Sequence, residues 1–303
     1  MMIERKTPQI LSGFVLKLFA LLFMTLDHLG LFLMARYAGV NEGLYQMAYV
    51  FRCLGRISFP LFVLMVAEGA RFSRRPWMYF VRLLAMHLVI SIGLSIYLYG
   101  SKNPLISPDQ IRGNAFSDLS LIALTLILFR QKNWTKFLAA IPIMVSIFFY
   151  ILQTYEHANN ITILWFPNYL RADYNLFGVL IGIGFYVARP LALRLSRASA
   201  EAAGIPLDMY LESKAYQQLV NIIGIAFFFA VTAIFWGVSY IGYNYDYRPF
   251  DTYLMQLQSY CLLAIPLLYL YSGKRGFDSK MVRVVTYLYY PVHIAVLFLI
   301  FSL

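Results

Sequence analysis

Long runs of apolar residues recur along this chain of 303 residues, and short polar stretches separate them. Apolar runs of roughly eighteen residues or more are typical of helices that cross a membrane. Because such runs occupy most of the length, the pattern indicates one all-α polytopic bundle without a separate soluble domain. We predict nine transmembrane helices, near residues 14–35, 46–70, 77–99, 115–131, 134–152, 174–192, 216–239, 252–272 and 282–302.

Lysine and arginine residues concentrate in alternate connections between the predicted helices. Cytoplasmic loops of membrane proteins carry such an excess. The connections on the other side hold single basic residues, namely Arg36, Lys102, Arg112, Arg171 and Arg248. We therefore expect a cytoplasmic N-terminus and an extracytoplasmic C-terminus. The most soluble stretch, 193–215, is expected to be a cytoplasmic linker between two groups of helices.

The composition agrees with a membrane location, since 61% of the residues are apolar and 13% are charged. The formal net charge of +11 is spread over short clusters between the helices. We therefore expect membrane lipid and a phosphate-rich cofactor as partners, and no nucleic acid. Cys53 and Cys261 lie in apolar runs and are expected to pack there; no motif indicates a metal. The first run has no cleavage pattern, which predicts a retained helix.

Ionisable residues inside the predicted helices are candidates for function, because an unpaired charge in lipid is costly. They are Lys17, Asp27, His28, Arg52, Arg56, Glu68, Arg82, His87, Asp118 and His293. Adjacent residues project about 100° apart on a helix, so Asp27 and His28 cannot both face the same neighbour. Two interpretations stay open. Asp27 either forms a structural pair with arginine beside hydrogen-bonded histidines, or it belongs to a site in which His28 is a general base.

The second predicted helix carries two further features of this kind. Gly55 and Pro60 indicate either an ordinary kink or a backbone loosened beside a cavity. Its cytoplasmic end carries Arg71, followed by Arg74 and Arg75. This cluster is either a topology signal alone or a clamp for phosphate groups.

Five segments resemble the TraX family of membrane proteins in order and spacing. They are LKLFALLFMTLDHLG, GRISFPLFVLMVAEG, NAFSDLSLIALTLIL, ADYNLFGVLIGIGFY and YPVHIAVL. The resemblance runs over most of the chain and implies a single domain over 1–303. Two regions depart from it: the linker 193–215 matches nothing in the family, and Asn175 and Leu176 alter the fourth segment. The founding member of the family N-acetylates F-type pilin subunits. The family is also similar to wider transmembrane acyltransferases, in which a first-helix histidine is the proposed catalytic residue.

The resemblance implies a membrane-embedded acyltransferase of the bacterial cytoplasmic membrane. It would move an acetyl group from cytoplasmic acetyl-CoA to an amine or hydroxyl of an extracytoplasmic acceptor, either a pilin N-terminus or an envelope glycan. His28 takes the catalytic position, oriented by Asp27 or a neighbour. Arg52 or Arg56 would stabilise the tetrahedral oxygen, and His293 would position the acceptor or share the proton. Acetyl-CoA is expected at Lys17, Arg71, Arg74 and Arg75, and the acceptor side at Asn114, Asp173 and Tyr290.

Two other classes of function stay open. Proton-coupled transporters and flippases also bury aspartate, histidine and arginine, but the sequence has no visible inverted repeat and its charged residues concentrate in the first third. A non-enzymatic assembly factor for a pilus or envelope polymer would need no acyl donor. Binding of coenzyme A therefore separates the enzyme from the assembly factor.

Overall fold

The computed structural model describes residues 9–101, 105–106, 113–159, 161–204, 206–244 and 257–302. Within these residues the ordered elements are helices and one isolated bridge between Leu11 and Tyr271. The α-helices are α1 Gly13–Tyr37, α2 Glu42–Gly55, α3 Ser58–Phe72, α4 Pro76–Gly100, α5 Ala115–Phe129, α6 Ala140–Asn159, α7 Asn175–Ala203, α8 Leu207–Leu211, α9 Lys214–Asn244, α10 Ile265–Tyr269 and α11 Lys280–Ser302. Short 3₁₀ segments, Trp134–Ala139, Asn168–Leu170 and Ser259–Ala264, precede α6, α7 and α10.

Seven stretches of the described chain are long and apolar enough to cross a bilayer. They are Gly13–Tyr37, Glu42–Phe72, Pro76–Gly100, Trp134–Glu156, Asn168–Ala202, Lys214–Gly242 and Lys280–Phe301. This confirms the prediction of an all-helical polytopic membrane protein. The predicted spans 115–131 and 252–272 correspond to the shorter apolar helices Ala115–Phe129 and Ser259–Tyr269. The count of nine and the orientation of the termini stay predictions; residues 252–256, Lys102, Arg112 and Arg248 lie outside the described residues.

The short helix α5 runs through the middle of the bundle. Most of its residues from Phe116 to Leu128 are buried, within a core that residues of α1, α3, α7 and α11 share. At about 1.5 Å per residue it is roughly 22 Å long, less than the ~30 Å hydrocarbon layer. Its end is therefore covered by protein, and protein groups accept hydrogen bonds from its first turn. The Asn114 side chain accepts one from the backbone N–H of Phe116.

The second predicted helix is two helices. α2 ends at Gly55 and α3 begins at Ser58, and the Ser58 hydroxyl donates to the Gly55 carbonyl across the break at 2.8 Å. Pro60 is the third residue of α3, where backbone N–H groups lack helical partners in any case. Its missing N–H therefore costs little. The break leaves Arg56 at the end of α2, beside α1.

Two glycines allow α1 and α2 to approach closely. A Cβ atom at Gly55 would lie 2.3 Å from the Cβ of Asp27, and one at Gly30 would lie 2.7 Å from the carbonyl oxygen of Ala48. Non-bonded atoms do not approach this closely in a packed protein, so a larger residue would force the helices apart. The close packing brings Asp27 level with the end of α2.

Helix α7 continues beyond its predicted end at 192, as far as Ala203. The sequence after Pro190 is rich in alanine, leucine and arginine, which favour the helix. The first part of the predicted linker 193–215 is therefore helical. Gly204 ends the helix in the left-handed conformation, with a φ of 64°. The short helix α8 follows before α9 begins.

The segment before α1 pairs with the segment before α11. The N–H groups of Ile10 and Leu11 both donate to the Leu270 carbonyl at 3.0 Å, and the Ser272 N–H donates to the Leu11 carbonyl at 2.8 Å. The Gly13 N–H donates to the carbonyl of Lys274 at 2.8 Å. These bonds fix the start of α1 against the loop that leads into α11.

Candidate active site

Asp27 of α1 is held by two arginines from the end of α2. Arg52 Nη1 donates to Asp27 Oδ2 at 2.5 Å, and Arg56 donates to Oδ1 through Nε at 3.1 Å and also through Nη2. Arg56 Nη1 donates to the Tyr174 hydroxyl and to the Gln258 amide oxygen, each at 3.3 Å. Buried charges need such pairing and hydrogen bonding. The predicted Asp–Arg pair is present, and both arginines belong to it.

The two arginines differ in the donors that they leave for a ligand. Arg56 is 2% exposed, and all three guanidinium nitrogens donate to protein groups. The Arg52 side chain is 17% exposed, and its hydrogen bonds within the described residues all come from Nη1. Nε and Nη2 of Arg52 are therefore the donors of this cluster that a ligand can use.

His28 follows Asp27 in sequence but contacts a different helix. Its Nδ1 lies 2.8 Å from Nε2 of His293 in α11, and Nδ1 of His293 lies 2.9 Å from the backbone carbonyl oxygen of Tyr289. Both carboxylate oxygens of Asp27 are engaged by arginines. Of the two alternatives for orienting His28, Asp27 or a neighbour, the contacts favour a neighbour, which is His293.

Aromatic rings enclose the histidine pair. The Tyr290 ring meets His28 and His293 edge to face, at centroid distances of 5.5 and 5.4 Å. Phe116 of α5 packs on the other side of Tyr290 at 4.8 Å. The Tyr289 ring stacks on His293 at 5.2 Å, and its hydroxyl lies 2.7 Å from that of Thr25 in α1. These contacts fix the orientation of the His28 and His293 rings. The sequence predicted both residues as site residues, but not their direct contact.

A cavity of about 640 Å³ lies beside these groups, and we call it the histidine cavity. Its polar wall includes Asp27, His28, Arg52, Arg56, Asn114, Asp173 and Tyr290. The rest is mostly apolar and comes from α1, α3, α4, α5 and α11. His293 is absent from its described wall. His28 is therefore the histidine of the pair that faces the cavity.

Asn114 and Asp173, which the sequence predicts on an acceptor side, both line the histidine cavity. The side-chain oxygen of Asn114 caps α5, and its backbone N–H donates to the carbonyl of Arg171 at 2.8 Å. The backbone N–H of Asp173 donates to the Asp118 carboxylate at 2.7 Å. Asn114 thus holds two segments of the wall in place, which is a structural role that spacing alone did not reveal.

A second cavity, of about 960 Å³, is lined by six basic residues, and we call it the basic cavity. These residues are Lys17, Arg74, Arg75, Arg82, Arg275 and Arg283. Of these, Lys17, Arg74 and Arg75 are residues that the sequence predicts as cofactor ligands. Arg275 was not part of that prediction because its segment is distant in sequence, although it belongs to the same predicted cytoplasmic side.

Arg71 is absent from the described wall of the basic cavity. Its Nη2 donates to the backbone carbonyl of Tyr186 in α7 at 2.5 Å, and its guanidinium lies over the Tyr186 ring at 4.1 Å. Arg71 lies on the last turn of α3, whereas Arg74 and Arg75 follow the helix, so the three side chains take different directions. The structure therefore does not place Arg71 with the other predicted cofactor ligands.

The two acidic residues of the basic cavity already have basic partners. Glu68 pairs with Arg189 at 3.0 Å, and Asp278 accepts hydrogen bonds from Arg283 at 2.7 and 3.0 Å. These bonds from Arg283 hold the pKa of Asp278 below its ordinary value. The wall keeps an excess of positive charge that suits an anion.

The two cavities adjoin each other. Both are lined by Phe62 of α3, Phe116 and Leu119 of α5, and Thr286 of α11. This shared wall is mostly apolar and separates the polar groups around His28 from the basic residues.

These features define a polytopic membrane protein with a buried histidine pair, a charged cluster and two adjoining cavities. The chain belongs to the TraX family, because the family model described as TraX protein matches residues 12–301. The predicted family is thereby confirmed over nearly the whole chain. No curated protein and no solved structure matches it.

Proposed function

We propose that this protein is a membrane acyltransferase that takes an acetyl group from acetyl-CoA. The observation that carries the proposal is that a basic cavity shares a wall with a second cavity, which His28 lines. A donor with a polyanionic head and a reactive group at the end of a slender arm fits this arrangement. Acetyl-CoA has this form, with phosphates at one end and the thioester at the other.

The phosphates of the donor would bind in the basic cavity. Arginine binds phosphate through paired N–H donors, and lysine through a compact charge. Arg74, Arg75 and Arg275 provide such donors, and Lys17 lies on the same wall. The pantetheine arm would then pass Phe116 and Thr286 to place the thioester beside His28. Arg71 has no part in this binding because it contacts Tyr186.

The reaction would be a direct transfer. The acceptor nitrogen or oxygen attacks the thioester carbonyl carbon while His28 takes its proton, which gives a tetrahedral intermediate with a negatively charged oxygen. The intermediate collapses as the carbon–sulfur bond breaks. The departing thiolate takes the proton back from His28, so the products are the acetylated acceptor and free coenzyme A. No covalent enzyme intermediate is needed.

Arg52 would stabilise the negatively charged oxygen of the tetrahedral intermediate. It lines the histidine cavity and has guanidinium donors left after binding Asp27. A charged donor aimed at a developing oxyanion is one of the most effective devices in acyl transfer. Arg56 also lines the cavity, but its donors already serve Asp27, Tyr174 and Gln258. Asp27 would hold both arginines in place.

The acceptor would enter beside Asn114, Asp173 and Tyr290, from the extracytoplasmic side of a bacterial cytoplasmic membrane. Membership of the TraX family favours an acceptor related to pilin, and a pilin N-terminus supplies the amine that the reaction needs. An envelope glycan offers a hydroxyl for the same chemistry. Acetylation of either acceptor would be detected by mass spectrometry after incubation with labelled acetyl-CoA.

Ligand-induced thermal stabilisation tests the donor assignment. Protein in lipid nanodiscs should melt at a higher temperature with acetyl-CoA, because a ligand that binds the folded state stabilises it. Acetyl-pantetheine, which has the thioester arm but lacks the nucleotide phosphates, should stabilise much less at equal concentration. Combining Arg74→Ala with Arg275→Ala should reduce the acetyl-CoA shift.

Lys132→Ala is a matched control, since Lys132 is an exposed cation outside the basic cavity. This variant should keep the full acetyl-CoA shift. Equal stabilisation by both thioesters, or none by either, would contradict the donor assignment. Absence of coenzyme A binding would favour an assembly factor, and movement of a substrate across the membrane without acetylation would favour a transporter.

A further inference from the structure

The hydrogen bonds of the histidine pair run in one direction. A backbone carbonyl oxygen accepts hydrogen bonds and cannot donate them. Nδ1 of His293 lies 2.9 Å from the carbonyl oxygen of Tyr289, so this nitrogen carries the proton and donates. A neutral imidazole has one N–H and one lone pair. Nε2 of neutral His293 is therefore an acceptor.

The direction of this first bond determines the second. Nδ1 of His28 lies 2.8 Å from Nε2 of His293, and one of the two nitrogens must donate. Because His293 Nε2 is the acceptor, His28 carries its proton on Nδ1. Its lone pair is then on Nε2. We infer that His293 is a positioning residue that fixes His28 in the tautomer whose basic nitrogen, Nε2, is available for proton transfer.

The reverse arrangement is disfavoured by the same contacts. If His293 donated from Nε2 as a neutral ring, its Nδ1 would carry a lone pair facing the Tyr289 carbonyl oxygen at 2.9 Å. Two lone pairs at that distance repel each other and satisfy no hydrogen bond. The observed geometry thus selects one order, from His28 to His293 to the carbonyl.

The packing around the pair maintains this order. The Thr25 hydroxyl lies 2.7 Å from that of Tyr289, which ties this turn of α11 to α1. Tyr290 presses edge-on against both histidine rings. His28 lines the histidine cavity, whereas His293 is absent from its described wall. His293 therefore acts on the reaction through His28.

The catalytic consequence rests on the proposed function, whereas the tautomer assignment does not. In acyl transfer, Nε2 of His28 would take the acceptor proton, and the resulting imidazolium would keep its Nδ1–H bond to His293. The partner stabilises the charge and holds the ring, as a carboxylate does in serine hydrolases. The proton returns from the same nitrogen to the leaving thiolate, so His293 needs no net protonation.

Nitrogen NMR tests the tautomer without any substrate. The chain has four histidines, so signals of ¹⁵N-histidine can be assigned with single substitutions. At about pH 8, above the ordinary histidine pKa of about 6.5, Nδ1 of both His28 and His293 should show the signature of a protonated ring nitrogen. Protonated Nε2 on His28 would overturn the inference, whether or not acetyl transfer is found.

Two substitutions at His293 then test the positioning role. Glutamine can place a carbonyl oxygen near the position of Nε2 and accept from His28, whereas leucine cannot. His293→Leu should lower kcat roughly 100-fold with little change in KM for acetyl-CoA, and His293→Gln should recover at least about tenfold of that loss. In His293→Leu the His28 signals should show a mixture of tautomers.

Equal losses in the glutamine and leucine variants, with unchanged His28 tautomer signals, would reduce His293 to a packing residue and contradict the inference. Failure of the proposed function would give a different result. It would appear as absence of acetyl transfer and of coenzyme A binding in the unsubstituted protein, with the tautomer signals unaffected.

Discussion

Asp27 and His28 are neighbours on one helix, yet they belong to two regions with different properties. The Asp27 cluster uses both carboxylate oxygens and all three nitrogens of Arg56 in internal bonds. The histidine pair uses three of its four ring nitrogens and leaves one on the cavity side. In a membrane bundle, polar groups whose donors and acceptors all have internal partners thus serve structure, and we call such a region closed. A polar group with one unpartnered donor or acceptor is open and can serve chemistry.

Removing the imidazole of His28 should have the largest effect on acetyl transfer. His28→Ala should lower acetyl transfer by about a thousandfold or more, because a general base contributes 10²–10⁴ and the pair loses its orientation as well. The melting temperature should change little, since the histidine pair does not neutralise a buried charge. Steady-state transfer assays and melting curves in nanodiscs would check both. Transfer at the wild-type rate would remove His28 from the mechanism.

Breaking the closed region should instead reduce folding. Asp27→Ala leaves the buried Arg56 and the partly buried Arg52 without their carboxylate, and breaking a buried pair costs about 3–5 kcal/mol. The variant should melt far lower than His28→Ala, or fail to accumulate in the membrane. A normal melting temperature for Asp27→Ala would show that the cluster is not a structural element.

The two arginines allow the comparison to be made within the Asp27 cluster because, in the described part of the chain, Arg52 keeps free donors and Arg56 does not. Arg52→Lys should keep the charge beside Asp27 but lose the free guanidinium donors, with a loss in kcat of about 10²-fold and nearly normal stability. Arg56→Lys should mainly lower stability, because it removes the bonds to Tyr174 and Gln258. Matched kinetics and melting curves would show the division. Equal profiles for the two variants would contradict it.

The smallest effect is expected in the basic cavity, where Asp278 pairs with Arg283. Asp278→Asn should release Arg283 for phosphate and strengthen acetyl-CoA binding by about two- to fivefold, since an exposed ion pair contributes little free energy. Titration calorimetry would measure the change. Weaker binding by Asp278→Asn would assign Asp278 to donor recognition instead.

The lowered pKa of Asp278 adds a pH dependence to this prediction. A carboxylate with a depressed pKa keeps its ion pair as pH falls through the ordinary aspartate range, and loses it only below that range. The affinity difference between Asp278→Asn and the unsubstituted protein should therefore be the same at about pH 6 and about pH 8. A difference that disappears at the lower pH would contradict the assigned ion pair.

Sequence patterns predicted the membrane class, most helices and the residues of the Asp27 cluster. The presence of Asp27, Arg52 and Arg56 in apolar runs was enough, because unpaired charges are costly in lipid. The direct contact of His28 with His293 was less accessible. It depends on how α11 packs against α1, and no local spacing encodes that packing across a separation of 265 residues.

The differences between the predicted and the observed positions have equally physical causes. Arg71 was grouped with Arg74 and Arg75 by proximity, but a helix end lies between them and redirects the chain. Gly55 and Pro60 predicted a kink or a loosened backbone near Arg56, whereas the structure has two separate helices there. The extent of α7 beyond 192 was missed because a polar helix looks like a linker when the hydrophobic pattern is the only guide.

The pairing of Leu11 with Tyr271 has a consequence for biogenesis. His28 enters the membrane early in synthesis, but its partner arrives only when α11 has left the ribosome. The paired segments before α1 and α11 then join the two ends of the described fold. A nascent or truncated chain would hold His28 without His293, so we expect the proposed activity to require insertion of the complete fold.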